Sequence, residues 1–447
     1  MESKMVQHTE SKAWYLSNFD FFESKLNGGT ALPFHETRHD AISRFSELGF
    51  PTVRNEEWKY TNLAPMLEHK FKLLHQPVKI TASTAAKFEI PEVEQNLLVF
   101  VNGQFAPALS RLVSQVKGLV VESLAQALKR DPELADKYLA QYAEYEKETF
   151  VALNTAFALD GAFIRVPRNL AIAEPIHLLY LSAGEDKASF LAHPRNLILA
   201  GEGSQVQIVE TYGSLNQDVY LNNIVSEIVL EKNAVVEHVR LQNESRKAYH
   251  IAAREVELAR DSVYTSVSID LGGKLVRNNF NLRLRAEHCE GNLYGFYFGA
   301  GEQLIDNHTL IDHLMPNCPS NEFYKGILTD KAHGVFNGKV MVHQDAQKTN
   351  AYQQNQCLLL SNDAVINTKP QLEIFADDVK CSHGASIGQL DEDSVFYLRS
   401  RGIGEEEAQS MLRFAYASEI LNHIKSPGIR AHVENLVNAA FRASQKM

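Results

Sequence analysis

Cys381 and His383 stand two positions apart near the end of the run Lys369-Pro-Gln-Leu-Glu-Ile-Phe-Ala-Asp-Asp-Val-Lys-Cys-Ser-His-Gly-Ala-Ser386. The run alternates apolar and polar residues. In a strand every second side chain shares a face, so this spacing points the thiol and the imidazole the same way. Such a pair can hold a soft metal or a sulfur species; it can equally be two packed side chains of a turn. Upstream, Asp306, His308, Asp312 and His313 are crowded together, with His288, His333 and His343 near other turns. A metal site needs three converging donors, which spacing alone does not show, and the simpler reading is that these side chains satisfy turns and stacked loops. Nucleotide chemistry has no carrier. Gly272-Gly-Lys274 and Gly338-Lys339 lack the earlier glycine of G-x-x-x-x-G-K-S/T, and no G-x-G-x-x-G occurs. Asp377 and Asp378 are adjacent, so a strand would send them to opposite faces, a poor start for a paired-carboxylate glycosidase.

Those residues need a scaffold, and the composition supplies one. The chain has 447 residues, 45% hydrophobic and 22% charged, enough for two or three soluble domains with a sizeable core. A net charge of -11 argues against broad nucleic-acid binding, because no basic excess is available for phosphates. The polar, mixed-charge first thirty residues do not resemble a secretory signal, and no apolar run reaches the ~20 residues of a membrane span. Cys289, Cys318, Cys357 and Cys381 form no CxxC, which predicts free thiols in a reducing, cytoplasmic setting.

Three regions follow from the periodicity. Residues 1–160 read as a mainly helical α/β region. One amphipathic helix is predicted over 11–27, ending at Gly28-Gly29, and a second over 36–48, ending at Gly49. Arg54-Asn-Glu-Glu-Trp-Lys-Tyr-Thr61 reads as a surface loop anchored by Trp58 and Tyr60, or else as a contact surface. Residues 96–105 predict strand, Asn-Gly turn, strand, and 122–158 return to helical spacing through Leu124, Leu128, Leu134, Tyr138, Tyr142 and Tyr145.

From 161 to 400 the pattern is strand after short strand, with no intervening helices of 10–15 residues, which excludes a doubly wound sheet. Small residues that open strands at Ser204, Ala234, Ser262, Ala332 and Ala364 form a weak repeat. The length of the β pattern favours a β-helix over a sandwich. Residues 401–447 are helical: Glu405-Glu-Glu407 suits a first turn, and Met411, Leu412, Phe414, Ile420 and Leu421 precede a break at Pro427-Gly428. This tail reads as a cap over the open end of the solenoid, a platform for a partner, or both.

A set of short motifs then occurs in order: Asp312-His313, Tyr324-Lys-Gly326, Gly334-Val-Phe-Asn-Gly-Lys339, Ala346-Gln-Lys-Thr-Asn-Ala351, Lys369-Pro-Gln-Leu-Glu-Ile374, Asp377-Asp-Val-Lys-Cys-Ser-His-Gly-Ala385 and Phe396-Tyr-Leu-Arg-Ser-Arg-Gly402. Together with Arg54–Thr61, this set resembles the SufB/SufD family of iron–sulfur cluster assembly proteins over almost the whole chain. The Cys-x-His strand looks like the SufD branch. The SufB branch has a more acidic sequence there, without the pair.

The resemblance implies a mainly β fold: a right-handed parallel β-helix between an N-terminal mainly helical region and a C-terminal helical region. It implies a non-catalytic scaffold subunit that pairs with a SufB-like chain through the β-helix and docks a SufC-like ABC ATPase on the C-terminal helices, for which Met411, Leu412, Phe414, Ile420 and Leu421 are the expected contacts. His383 matches the family histidine at the subunit seam where a transient iron–sulfur cluster forms, and Cys381 the neighbouring cysteine. ATP enters only through the SufC-like partner. Reduced flavin is linked to the complex, although no flavin motif is legible. The alternative inside the family is a SufB-like homodimer that carries the cluster itself, and a β-helix carbohydrate-active enzyme is a remote third reading.

Overall fold

The computed structural model describes residues 2–24, 26, 34–74, 78–184 and 189–444; the expected stop at Gly28-Gly29 lies outside them. From Ala162 to Gly388 the chain winds as a parallel β-solenoid with two long sheets. Successive strands alternate between the sheets, so each strand pairs with the next but one. In the first sheet Tyr249 stands beside Leu275, Leu275 beside Leu304, Leu304 beside His333 and His333 beside Val365. This stacking is the repeat glimpsed in the sequence.

The turn chemistry explains why that repeat was faint. Ahead of six second-sheet strands, from Gln205–Ser214 to Asn350–Leu359, comes a residue with positive φ, then a small buried residue: Gly203 and Ser204, Asn233 and Ala234, Asp261 and Ser262, His288 and Cys289, Asn317 and Cys318, Lys348 and Thr349. Gly and Asn take the left-handed conformation at little cost, whereas Lys348 is held there by Asp378 of the next coil, whose carbonyl accepts its N–H and whose carboxylate pairs with its ammonium. Cys289 and Cys318 serve as the small corner residue, and both thiols lie within hydrogen-bond reach of the Ala286 carbonyl, at 3.0 and 3.2 Å. Ala332 and Ala364 belong to the other corner, ahead of first-sheet strands.

Between the sheets lies the main core. One column of it runs Ile164, Ile198, Ile228, Val256, Leu282, Ile311 and Val340, each side chain stacked on its equivalent one coil away. All seven are fully buried, each worth about 1.5–3 kcal/mol relative to exposure.

The outer faces are covered differently. The N-terminal region packs Trp58, Met66, Phe71 and Phe150 against Leu221, Tyr249, Ile251 and Leu275 of the first sheet. The C-terminal helices Glu405–Leu421 and Pro427–Ser444 pack Ile420, Leu421, Val433, Val437 and Phe441 against Val239, Val267, Phe296, Phe298 and Ile327 of the second.

Several expectations are corrected in detail. The C-terminal helices flank the solenoid and do not cap its open end. The strands stop at Gly388, and a helix capped by Asp391 spans Glu392–Ser400, inside the range assigned to strands. Asp377 and Asp378 sit in a bend between strands. The 122–158 segment forms three helices, Leu124–Arg130, Glu133–Tyr138 and Thr149–Phe157. Tyr142 and Tyr145 lie in turns, because buried Glu227 accepts the backbone N–H groups of Ala140, Tyr142 and Ala143 while pairing with Arg195 at 2.6 Å. The Asn102-Gly103 hairpin forms as expected, with both residues at positive φ. Among the described residues no helix is long and apolar enough to cross a membrane.

The open end of the solenoid as candidate functional site

The two ends of the solenoid are not alike. At its start, Asn96–Val101 from the N-terminal region pairs with Ile176–Ser182 and carries the Gln104–Phe105 hairpin strand, while antiparallel Val120–Ser123 closes the first sheet. At its finish, Val365–Ile374 and Lys380–Gly388 are edge strands with no further neighbour among the described residues. An edge strand leaves a row of N–H and C=O groups unpaired. Val365, Ile374, Phe375 and Ile387 are exposed along this rim.

Cys381 and His383 lie on the last strand. Register fixes where they point. Cys381 pairs with Ala351, and His383 with Gln353, both fully buried and facing the lumen between the sheets. In-register parallel strands direct paired side chains alike, so the thiol and the imidazole line the mouth of the lumen. Cys381 is half-buried against the last core residues, and burial raises its thiol pKa. It therefore stays protonated at neutral pH until a metal or a partner's charge draws the proton off. His383 is exposed.

The lumen behind this mouth is polar. Gln353 Nε2 donates to Glu322 Oε2 at 2.7 Å, one coil deeper. Burial pushes the Glu322 carboxyl up to about 7, against the lowering effect of its hydrogen bonds. Gln353 Oε1 and Glu322 Oε1 are buried without hydrogen-bond partners. Alongside, Asn355 donates to Thr368 at 3.0 Å and accepts from the Tyr297 hydroxyl at 3.3 Å. Cys357 is buried there with its thiol pushed up to about 12.

The Asp306–His313 group does not converge. Asp306 pairs with Arg277 and with His308 at 3.0 Å, and accepts from Thr61. Asp312 pairs with His343 at 2.8 Å, and His313 turns inward to Ser320 at 2.9 Å. His308 and Asp306 instead fasten the N-terminal loop. Glu57 accepts from His308 at 3.1 Å, and Glu56 pairs with Lys369 at 2.9 Å. Trp58 is buried beneath the loop, while Tyr60 stays 38% exposed.

Of the residues expected to meet a partner, Met411 is exposed, and Leu412 and Phe414 are half-buried. Ile420 and Leu421 are fully buried against the second sheet, which corrects their assignment as contacts: their apolar surface is already used by the chain's own core.

The comparisons with known proteins fit this architecture. The family model described as "SUF system FeS cluster assembly, SufBD core domain" matches residues 181–416, and "SufBD protein N-terminal region" matches 9–178. The chain belongs to the SufBD family of iron–sulfur cluster assembly proteins. It is 37% identical to a SufBD family protein of Synechocystis over 90% of both chains. It is 31% identical to the iron–sulfur cluster assembly protein SufD of Escherichia coli, covering 88% of this chain and 89% of that one. Protein ABCI7, chloroplastic, of Arabidopsis thaliana is 36% identical over 65% of this chain.

Sequence reasoning missed two features of this SufBD chain. Glu322 and Gln353 escape the alternation rule, which looks for apolar lumen residues. Their signal was a polar residue at an inward position of an otherwise regular strand. His35 and His39 are the second feature, and their signal is the spacing H-E-x-x-H in His35-Glu-Thr-Arg-His39.

Proposed function

We propose that this chain is a SufD-like, non-catalytic scaffold subunit whose open solenoid end pairs with a SufB-like chain, and that a nascent iron–sulfur cluster is held at that seam with His383 as a ligand and Cys381 beside it. The observation that carries the reading is the uncapped mouth: unpaired strand edges, an exposed apolar rim, and an inward Cys-x-His pair in one place. Two ligands from one chain cannot fill a cluster's coordination, so a second chain has to complete it. A seam also allows release, since separating the edges removes ligands. The cluster is cargo in this reading.

ATP hydrolysis belongs to a SufC-like partner. Exposed Phe396, Tyr397 and Met411 on the Glu392–Ser400 and Glu405–Leu421 helices form the surface offered to it. Four free cysteines suit a reducing compartment, and we assign the chain to the cytoplasm. The test is co-expression with a SufB-like chain and the ATPase, followed by mass analysis of the purified assembly. A complex containing one copy of this chain per SufB-like chain is expected. A chain that stays monomeric, or a homodimer that holds a stable visible-absorbing cluster on its own, overturns the pairing.

A further inference from the structure

Far from the open end, one group among the described residues brings three metal-donor atoms together. His35 and His39 lie four residues apart near the start of the helix Phe34–Leu48, so both imidazoles project from one face. Glu23, the last residue of the helix Glu2–Glu23, meets them there. Its Oε1 lies 2.6 Å from His39 Nε2 and 3.3 Å from His35 Nε2, and the two Nε2 atoms are 3.2 Å apart.

Hydrogen bonds cannot account for all three contacts. A carboxylate oxygen only accepts, so each imidazole facing it must carry its proton on Nε2. Two protonated Nε2 atoms then confront each other as donor against donor. If either proton is moved away, a nitrogen lone pair faces the carboxylate oxygen. Glu23 Oε1 is in fact buried without a hydrogen bond. A cation at the centre satisfies all three lone pairs at once. Ligands about 2.0–2.1 Å from a tetrahedral ion lie about 3.3 Å apart. Two of the three edges already have that length, and the third needs to open by less than 1 Å.

We propose that Glu23, His35 and His39 bind one divalent first-row transition ion of the zinc or ferrous class. The donor set selects that class: two imidazoles and one carboxylate suit zinc and ferrous ions, whereas cuprous ion prefers sulfur, and calcium and magnesium prefer an all-oxygen shell. His39 is 51% exposed and His35 only 18%, so the ion enters, and keeps a water, on the His39 side. Glu36, the remaining acidic residue of the H-E-x-x-H spacing, is exposed and outside the group, so no hydrolytic role goes with the site. The ion ties the first helix to the second. Arg38 does not compete for the position, because its guanidinium is turned to the Ala156 and Ala158 carbonyls. Binding energy at this junction adds to the stability of the N-terminal region by mass action. The three donors lie in the N-terminal helices, apart from the strands of the open end.

The full-length chain, stripped with chelator, is titrated anaerobically with zinc, ferrous and cobaltous ions in separate experiments. One ion per chain is expected, together with a tetrahedral cobalt spectrum and slower hydrogen exchange in Glu2–Glu23. His39→Gln, at an exposed position that leaves folding intact, should weaken binding by more than about 100-fold, and His35→Ala should do the same. The double variant Cys381→Ser with His383→Ala should bind as the unchanged chain does. Undiminished affinity in His39→Gln, loss of the ion in the open-end variant, or no binding by the unchanged chain overturns the site.

Discussion

The Arg277 guanidinium lies 4.4 Å above the ring of Trp58. Arg277 is 2% exposed and Trp58 6%, so the pair is a dry contact between the flank of the solenoid and the N-terminal loop. Arg277 also pairs with Asp306 and donates to the Glu57 carbonyl at 2.8 Å. Burial alone would raise Asp306, but Arg277 and His308 outweigh it and hold the carboxyl well below the usual carboxylate range. The Arg54–Thr61 motif is thus a latch that seals the first sheet. Trp58→Ala should cost about 3–5 kcal/mol through the lost packing. Asp306→Asn should cost a similar amount by leaving a buried guanidinium without its counter-charge. Denaturant unfolding of the single and double variants checks this. The two losses should fall short of additive, because both dismantle one network.

His383→Ala should abolish cluster build-up on the assembled complex while leaving the isolated chain's unfolding free energy within about 0.5 kcal/mol, the usual range for an exposed side chain. Cys381→Ser should have the smaller effect, since its thiol is raised by burial and partly packed. Anaerobic reconstitution followed by iron and sulfide analysis reads both. An unchanged cluster yield in His383→Ala removes the proposed role of the histidine.

The rim makes a separate prediction. Ile387 is 53% exposed on the last strand, where nothing among the described residues covers it. Ile387→Asp should therefore leave the monomer folded and sharply reduce pairing with a SufB-like chain, as an inward charge on an edge strand blocks edge-to-edge addition. Size exclusion of the co-expressed chains measures it. Pairing that survives the substitution places the seam elsewhere.

Much of this was legible in the residues. The β middle, the Asn102-Gly103 hairpin and the shared face of Cys381 and His383 all follow from period-two spacing and turn chemistry, which are local. What stayed hidden depended on stacking between coils. Cys289 and Cys318 are corner residues only because they sit where Ser204 and Ala234 sit in earlier coils. Lys348 takes a positive φ that its side chain does not favour by itself. Ile420 and Leu421 have an unremarkable helical spacing, and only the sheet beneath them decides that they face inward. Asp306 and His308 resembled ligands in sequence because an ion pair with a distant loop leaves no local trace.

On the C-terminal helices, packing can be tested apart from the docking proposed above. Ile420→Ala should destabilise the chain by about 2–5 kcal/mol, because it opens a cavity against the second sheet. Met411→Glu, at a residue 47% exposed, should leave stability alone and weaken capture of the ATPase. Thermal melts and pull-down with the ATPase distinguish the two. Equal ATPase capture by Met411→Glu moves the docking surface away from this face.

Glu322 supplies a pH dependence with a definite sign. Burial pushes its carboxyl up to about 7, so between the ordinary glutamate range and neutrality the folded chain keeps a proton that the unfolded chain has lost. The stabilisation this gives is fully present below about pH 4.3 and disappears as pH rises through 7, which amounts to a swing of about 4 kcal/mol at most. Glu255 is also pushed up to about 7 and adds a slope of the same sign, so the unchanged chain alone cannot assign the effect. Glu322→Gln removes one titration and keeps the shape and the hydrogen-bonding reach toward Gln353. Denaturant unfolding from pH 5 to 8 should show a flatter slope in the variant, with the gain largest at pH 8, where the native carboxylate is charged without a cationic partner in the lumen. Parallel slopes would mean that Glu322 stays ionised in the folded chain, and the polar column behind His383 would then carry a fixed negative charge instead of a proton that can be exchanged near neutrality.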